Sequence, residues 1–397
     1  MSSHSDASRP AVLFVGRRGP ALAAARALDL DVVCVDEKPP GRKEAAVLAD
    51  FVPCRLEDPQ TDWRGLARRA ANGRRVGAVF ALTERAVVPA AELRLRLGLG
   101  GDSPEAARRS TDKVEMKRAA AGAGIPCARF IDGGQNLRVD ELVAELGLPV
   151  VFKGRVSSGG RQNRIFRRRD EIRRKPRRGW MAEGFVDGVE MSLEALVARG
   201  RTVFVNATEY FRVRWANILP AVLPEDVLAA VADLNQRVLA AVGIDTAFTH
   251  LELFLTPEGP VFGEIAARPP GGHITELIEL AYGFDPWQAW LRLGLGEDVS
   301  LPARASRAAG VWVLHPGKGV VRSVSGLEQA RAVPGVEDVR LRVRPGTTVA
   351  RRVGAGQEVG AVVVTGRDRD EVAQRLLAAH ERLRIELDPA DGLQPGG

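Results

Sequence analysis

Cysteine is scarce in this sequence. Only Cys34, Cys54 and Cys127 occur in 397 residues, and they lie far apart. No two have the spacing of metal ligands, and three cannot build a disulfide framework. They are expected to be buried, reduced thiols of a cytoplasmic protein. Aromatic residues are also few, at 5%. A net charge of +7 would suit nucleic acid, but no basic stripe is interleaved with stacking rings, so nucleic acid is not the expected partner. No apolar run reaches the roughly 18 residues of a membrane span. The opening "MSSHSDASRP" lacks the apolar core of an export signal. A globular chain remains, 45% hydrophobic and too long for one core, so several domains are expected.

The first of these runs to about residue 105. "AVLFVG" reads as a continuous apolar strand, "RRGPALAAARALDL" as a helix and "DVVCVD" as a second strand. That βαβ order favours a parallel sheet. "GRRGPA" is not the GxGxxG of a dinucleotide site, so a scaffold without a dinucleotide is expected. "VGAVFALTERAVVPAAELRLRLGL" adds a strand, a turn at Thr83-Glu84 and a helix. The polar "GLGGDSPEAARRSTDK" then links to the second domain.

In "TDKVEMKRAAAGAGIPCARF", Ser110, Thr111 and Asp112 are good helix caps, and Lys113 and Lys117 lie in the first turns behind them. Helix N-termini prefer anions. Lysine there marks either a phosphate site or a solvated charge, and Lys117 reads as a surface lysine. In "PVVFKGRVSSGGRQNRIF", Lys153 ends a strand, a glycine and serine loop comes next, and a strand returns. Backbone N–H groups of such a loop can surround phosphate oxygens while the lysine supplies charge. Nine of the fifteen residues from Arg164 to Arg178 are Arg or Lys. This run is either a solvated surface or a dock for an acidic partner.

The hairpin signal "FTHLELFLTPEGPVFGEIAARPPGG" places Glu252 and Glu264 on opposite strands. If the loop is centred on Glu258, they face one another. Alternation then puts His250, Glu252, Glu264, Ala266 and Arg268 on one face. Opposed carboxylates repel unless a cation lies between them. A hard divalent ion, Mg²⁺ first, resolves this; a solvated acidic face is the alternative. Beyond residue 301, short β segments and glycine turns dominate, closed by the helical "DRDEVAQRLLAAHERLRI" and a tail expected to be disordered.

Taken together, "TDKVEMKRAAAGAGIP", "LPVVFKGRVSSGGRQNRIF", "AEGFVDGVEMSLE" and "THLELFLTPEGPVFGEIAARPPGG" resemble the ATP-grasp superfamily of carboxylate–amine ligases, nearest in pattern to the dipeptide-forming L-amino-acid ligases. The resemblance covers about 106–300. It implies an α/β (α+β) ATP-grasp fold: a Rossmann-like βαβ domain over 1–105, an ATP-grasp domain over 106–300 with a small lid at about 150–200, a β-rich domain over 301–390 and a tail at 391–397. It implies ATP with Mg²⁺, or Mn²⁺ as a substitute. Lys113 and Lys153 are then the two ATP lysines. Ser158, Gly159, Gly160 and Arg161 belong to the loop over the β- and γ-phosphates. Glu183 begins the hinge whose backbone at Phe185 and Val186 reads adenine, and Glu190 holds the ribose. Glu252 and Glu264 hold the metal, and Arg268 faces the γ-phosphate and the acyl phosphate. His273, Tyr210, Arg212 and Arg214 are substrate candidates, with a helix-capping role as the alternative for His273. Many relatives have Asn where Ala266 stands, which puts a second metal ion in doubt.

The expected activity is amide or peptide bond formation between small carboxylate and amine substrates, releasing ADP and phosphate. An acceptor on an acidic carrier protein or a larger metabolite stays open, as does a non-catalytic nucleotide- or nucleic-acid-binding role. A cytoplasmic homodimer, away from membranes, fits the family.

Overall fold

A computed structural model describes residues 10–160 and 162–388. Arg161 and the tail at 391–397 lie outside them. The first sheet is parallel, in order β3-β2-β1-β4, from β1 (Ala11–Val15), β2 (Val32–Asp36), β3 (Asp50–Pro53) and β4 (Val76–Ala81). Every residue of β1 is buried, because a central parallel strand is covered on both faces and must be apolar throughout.

A small antiparallel sheet comes next in the chain, in order β5-β8-β6-β7, from β5 (Phe130–Asp132), β6 (Val150–Gly154), β7 (Arg164–Phe166) and β8 (Trp180–Gly184). It has its own core of Ile131, Leu142, Leu146, Phe152 and Ile172. This lid unit therefore begins earlier in the chain than the sequence suggests. The next strand, β9 (Val189–Ala198), lies inside the expected lid range but pairs elsewhere.

The large sheet has eight strands, in order β13-β12-β9-β10-β11-β14-β18-β16. Its first five strands in that order are β9 with β10 (Arg201–Arg212), β11 (Ala216–Leu219), β12 (Ala247–Thr256) and β13 (Gly259–Ala266). Alternation sorts the side chains. Leu193, Leu251 and Phe262 join a core with Met116 and Ala120 of the helix Lys113–Gly122 and with Leu234 and Val238 of the helix Glu225–Val242. The other face is polar at Ser192, Glu194, Asn206, Thr208, His250 and Glu252, and apolar further along, where Leu196, Phe204 and Phe248 join a second core with Trp290. The C-terminal segment shares this sheet through β14 (Ala308–Leu314), which pairs with β11. β15 (Gly319–Ser325), β17 (Thr348–Val349) and β19 (Arg384–Asp388) form a three-stranded sheet beside it, while β16 (Val336–Leu341) and β18 (Gly360–Gly366) extend the large one. The three cysteines are free; Cys34 is buried and the other two half-buried. Among the described residues no helix is long and apolar enough to cross a membrane.

Candidate functional site

The polar face of β9, β10, β12 and β13 is the floor of the site. Glu252 pairs with Glu264 and with Ser192; His250 pairs with Ala266 and Glu194. A register shift after Glu252 makes the carboxylates meet. The strands leave the turn with Thr256 opposite Gly259, and Gly263 then inserts as a bulge residue. A Cβ on Gly263 would lie 2.7 Å from the Glu252 carbonyl oxygen, so this position takes only glycine without a shift.

Beneath this pair Glu194 is fully buried. It accepts hydrogen bonds from Ser192 Oγ at 2.7 Å, Thr208 Oγ1 at 2.6 Å and Asn206 Nδ2 at 2.9 Å. His250 Nδ1 lies 2.9 Å from Glu194, and its Nε2 is 3.5 Å from Glu252. Burial pulls the His250 pKa down, but the two carboxylates outweigh it and hold it at about 9. Burial likewise raises the Glu252 pKa, and His250 with Lys153 and Lys113 brings it down to about 2. Burial and the nearby Glu252 push Glu190 up to about 7.

The lysines interlock with these acids. Lys113 follows Asp112, whose carboxylate accepts from Val114 N at 2.9 Å as a helix cap. Its Nζ reaches Glu264 at 3.2 Å and donates to Ser157 O at 2.7 Å. Lys153 Nζ lies 2.6 Å from Glu183 Oε1. Burial raises the Glu183 pKa, but Lys117 and Lys153 overcome it and hold it at about 2. Lys117 is therefore no surface lysine. It is 3% exposed, 3.5 Å from Glu183 and donates to Phe262 O at 3.2 Å. One helical turn beyond Lys113 faces the same way, so both lysines point into the cleft.

Comparison with known proteins agrees with this geometry. Residues 118–279 match the ATP-grasp domain, and residues 311–388 match the L-amino acid ligase C-terminal domain 2. The chain thus carries an ATP-grasp domain and, after it, an L-amino acid ligase C-terminal domain. An uncharacterized protein of Sinorhizobium fredii, y4rH, is 29% identical over 74% of this chain, which spans 65% of that protein's length. An L-arginine-specific L-amino acid ligase of Bacillus subtilis is 24% identical over 76% of this chain and 77% of its own. The crystal structure of an L-amino acid ligase from Bacillus licheniformis superposes with a TM-score of 0.79 at 19% identity, covering 96% of this chain and 99% of that one.

The glycine loop after β6 is only partly buried. Gly159 and Gly160 have φ of 67° and 65°, a left-handed pair that side chains disfavour. Gly159 O accepts from Ala355 N of the C-terminal segment at 3.3 Å. A Cβ on Gly160 would sit 3.4 Å from Arg214 Nη2. Ser158 is half-buried beside them. At the hinge the Phe185 N–H is already donated to Pro149 O at 3.1 Å.

The donor set fits a hard cation, since two opposed carboxylates offer the oxygen ligands it prefers. Among the described residues no three His, Cys, Asp or Glu gather as a metal site, so the protein offers a pair only. Ala266 adds no oxygen.

Arg268 leaves the end of β13 and pairs with Glu84 at 2.8 Å. Glu84 comes from the turn after β4, and the sequence marks it only as part of that turn. The substrate candidates do not converge. His273, at φ 64°, makes no capping bond with its ring, and its Nδ1 lies 3.2 Å from Glu276. Tyr210 is on the polar floor beside Ser192 and Glu190, and burial pushes its hydroxyl pKa well above the usual value. Arg212 is exposed over the Phe211 ring, and Arg214 holds the turn after β10 at φ 70°. Glu194 and His250 are the larger addition. Only their i, i+2 alternation with Glu252 and Ser192 marks them in the sequence.

Proposed function

We propose that the chain joins the carboxylate of one amino acid to the amine of another, with ATP consumed to ADP and phosphate through an acyl phosphate. The observation that carries this reading is the Glu252–Glu264 pair facing Lys113 and Lys153, with Arg268 two residues beyond the end of β13. ATP supplies the phosphoryl group that turns a carboxylate oxygen into a leaving group, and a divalent cation, Mg²⁺ or Mn²⁺, held by Glu252 and Glu264 neutralises the phosphates.

The chain's own groups do the rest. Lys113 and Lys153 exchange their glutamate partners for phosphate oxygens. Both ammonium groups are already desolvated and fixed, so little reorganisation accompanies the transfer. Arg268, fixed by Glu84, presents a planar fork to the oxyanion. The Glu194–His250 unit holds Glu252 in place from below. The glycine loop from Ser158 closes over the phosphates and excludes water, which would hydrolyse an acyl phosphate. The C-terminal match at 311–388 to an L-amino acid ligase domain supports amino acids as the substrate class.

The test is ADP and phosphate release with ATP and Mg²⁺ against amino acids offered singly and in pairs, with Lys153→Ala and Glu264→Ala alongside. Turnover that needs two amino acids and vanishes in both variants is expected. Turnover with one amino acid alone would move the acceptor to a carrier protein or larger metabolite. No turnover while ATP still binds would overturn the ligase reading and favour a binding role.

A further inference from the structure

The parallel sheet reverses its winding between β1 and β4, since β2 and β3 lie on one side of β1 and β4 on the other. Ligands of such sheets sit at the carboxyl ends of the strands where the winding reverses. Two adjacent arginines come after β1 at that place. Arg17 is neutralised, with Asp36 at 3.4 Å and Glu44 at 3.8 Å. Arg18 is not: among the described residues it has no carboxylate within ion-pair distance. Its Nη1 instead donates to Pro270 O at 2.6 Å, and its Cζ lies 5.9 Å from the Trp287 ring centre.

The neighbouring carbonyl, Pro269 O, accepts from Arg268 Nη1 at 3.0 Å. Two guanidinium groups are thus tethered to consecutive carbonyls of one loop, and of the two only Arg268 is ion-paired, to Glu84. The crowding is felt: burial first, and then the charge of Arg268, lower the Arg18 pKa to about 10. Arg18 also stands at the N-cap of the helix Gly19–Ala27, where no side chain caps the first turn and a Cβ on Gly19 would meet nothing within 4 Å. A partly buried surplus cation at an open helix N-terminus is held at a cost unless an anion arrives.

We propose that Arg18 binds a non-reacting oxyanion of the substrate, a carboxylate or phosphate distinct from the carboxylate that is phosphorylated. This rests on the ligase reading, and it narrows the substrate class to molecules with a second anionic group, such as the free carboxylate of an amino-acid acceptor. Arg268, paired with Glu84, keeps its role toward the reacting centre.

Isothermal titration of the full chain with succinate, inorganic phosphate and the uncharged control succinamide tests this, with and without AMP-PNP and Mg²⁺. Succinate or phosphate should bind while succinamide does not, and the preferred anion tells carboxylate from phosphate. Arg18→Gln should weaken that binding about tenfold or more, and Arg18→Lys should keep part of it. AMP-PNP affinity should not change in either variant. The proposal is overturned if neither anion binds the wild type, or if Arg18→Gln binds as well as the wild type. Failure of AMP-PNP to bind the wild type would instead count against the ligase reading, because the titrations without nucleotide report on Arg18 separately.

Discussion

The interior of the cleft and the outer surface of the lid carry charge in opposite ways. Inside the cleft, Lys153 lies against Glu183 at 2.6 Å, Lys113 against Glu264 at 3.2 Å and His250 against Glu194 at 2.9 Å. On the lid, Arg164, Arg167, Arg173, Arg174, Arg177 and Arg178 are exposed, and none is in an ion pair among the described residues. Buried charges must be paired, because each has lost its water. Exposed ones keep their water, and pairing them adds little. The same residue types therefore act as fixed machinery in one region and as a solvated surface in the other.

The contrast is sharpest if the floor is broken at the metal pair. Glu264→Ala should lower ADP release by about a thousandfold while circular dichroism is unchanged, since one electrostatic group is typically worth that much. Near-normal release would make the floor a structural network only.

The next largest effect belongs to the buried Lys117. Lys117→Met should cost about 3 kcal/mol in urea unfolding, because it strips one ammonium from a buried carboxylate. The same carboxylate sets an acid signature. Its folded pKa, about 2, lies below the ordinary carboxylate value of 4.5. Its contribution is thus complete above that ordinary value and fades as pH falls toward 2. Wild type and Glu183→Gln should differ by roughly 3 kcal/mol near neutrality and converge in acid. A difference that does not change with pH would show that the lysines do not stabilise the ionised form.

Gly263→Ala should have a smaller effect, about 1–3 kcal/mol, as its methyl group pushes on the Glu252 carbonyl. ADP release should fall by more than the loss of stability explains, because Glu252 moves with its backbone. At the far end of the scale, neutralising Arg173, Arg174, Arg177 and Arg178 to Gln should change stability by less than about 0.5 kcal/mol for each. Turnover of small substrates should be unaffected. A salt-dependent loss seen only with an acidic protein acceptor would turn the solvated surface into a dock.

Much of the site could be read along the chain. Lys153 stands out because a strand, a lysine and a glycine loop occur in succession. Glu252 and Glu264 stand out because hairpin alternation puts them on one face. Their direct opposition depends on more than alternation: the turn alone would set Glu252 against Gly263, and the bulge moves it by one residue. Lys117 was hidden because its burial depends on Phe262 and Glu183, which are far away in sequence. Arg18 was hidden for the same reason, since its significance lies in the absence of a carboxylate partner in space.

The sequence by itself determined the alternating polar and apolar faces, the parallel first sheet and the order of lysine, glycine loop and paired glutamates. These are local patterns, fixed by the periods of strand and helix. Only the tertiary structure decided which charges were buried together, that the C-terminal strands extend the large sheet through β11, and that Arg18 and Arg268 share one loop. Pairing and burial depend on which distant segments meet, and local period carries no record of that.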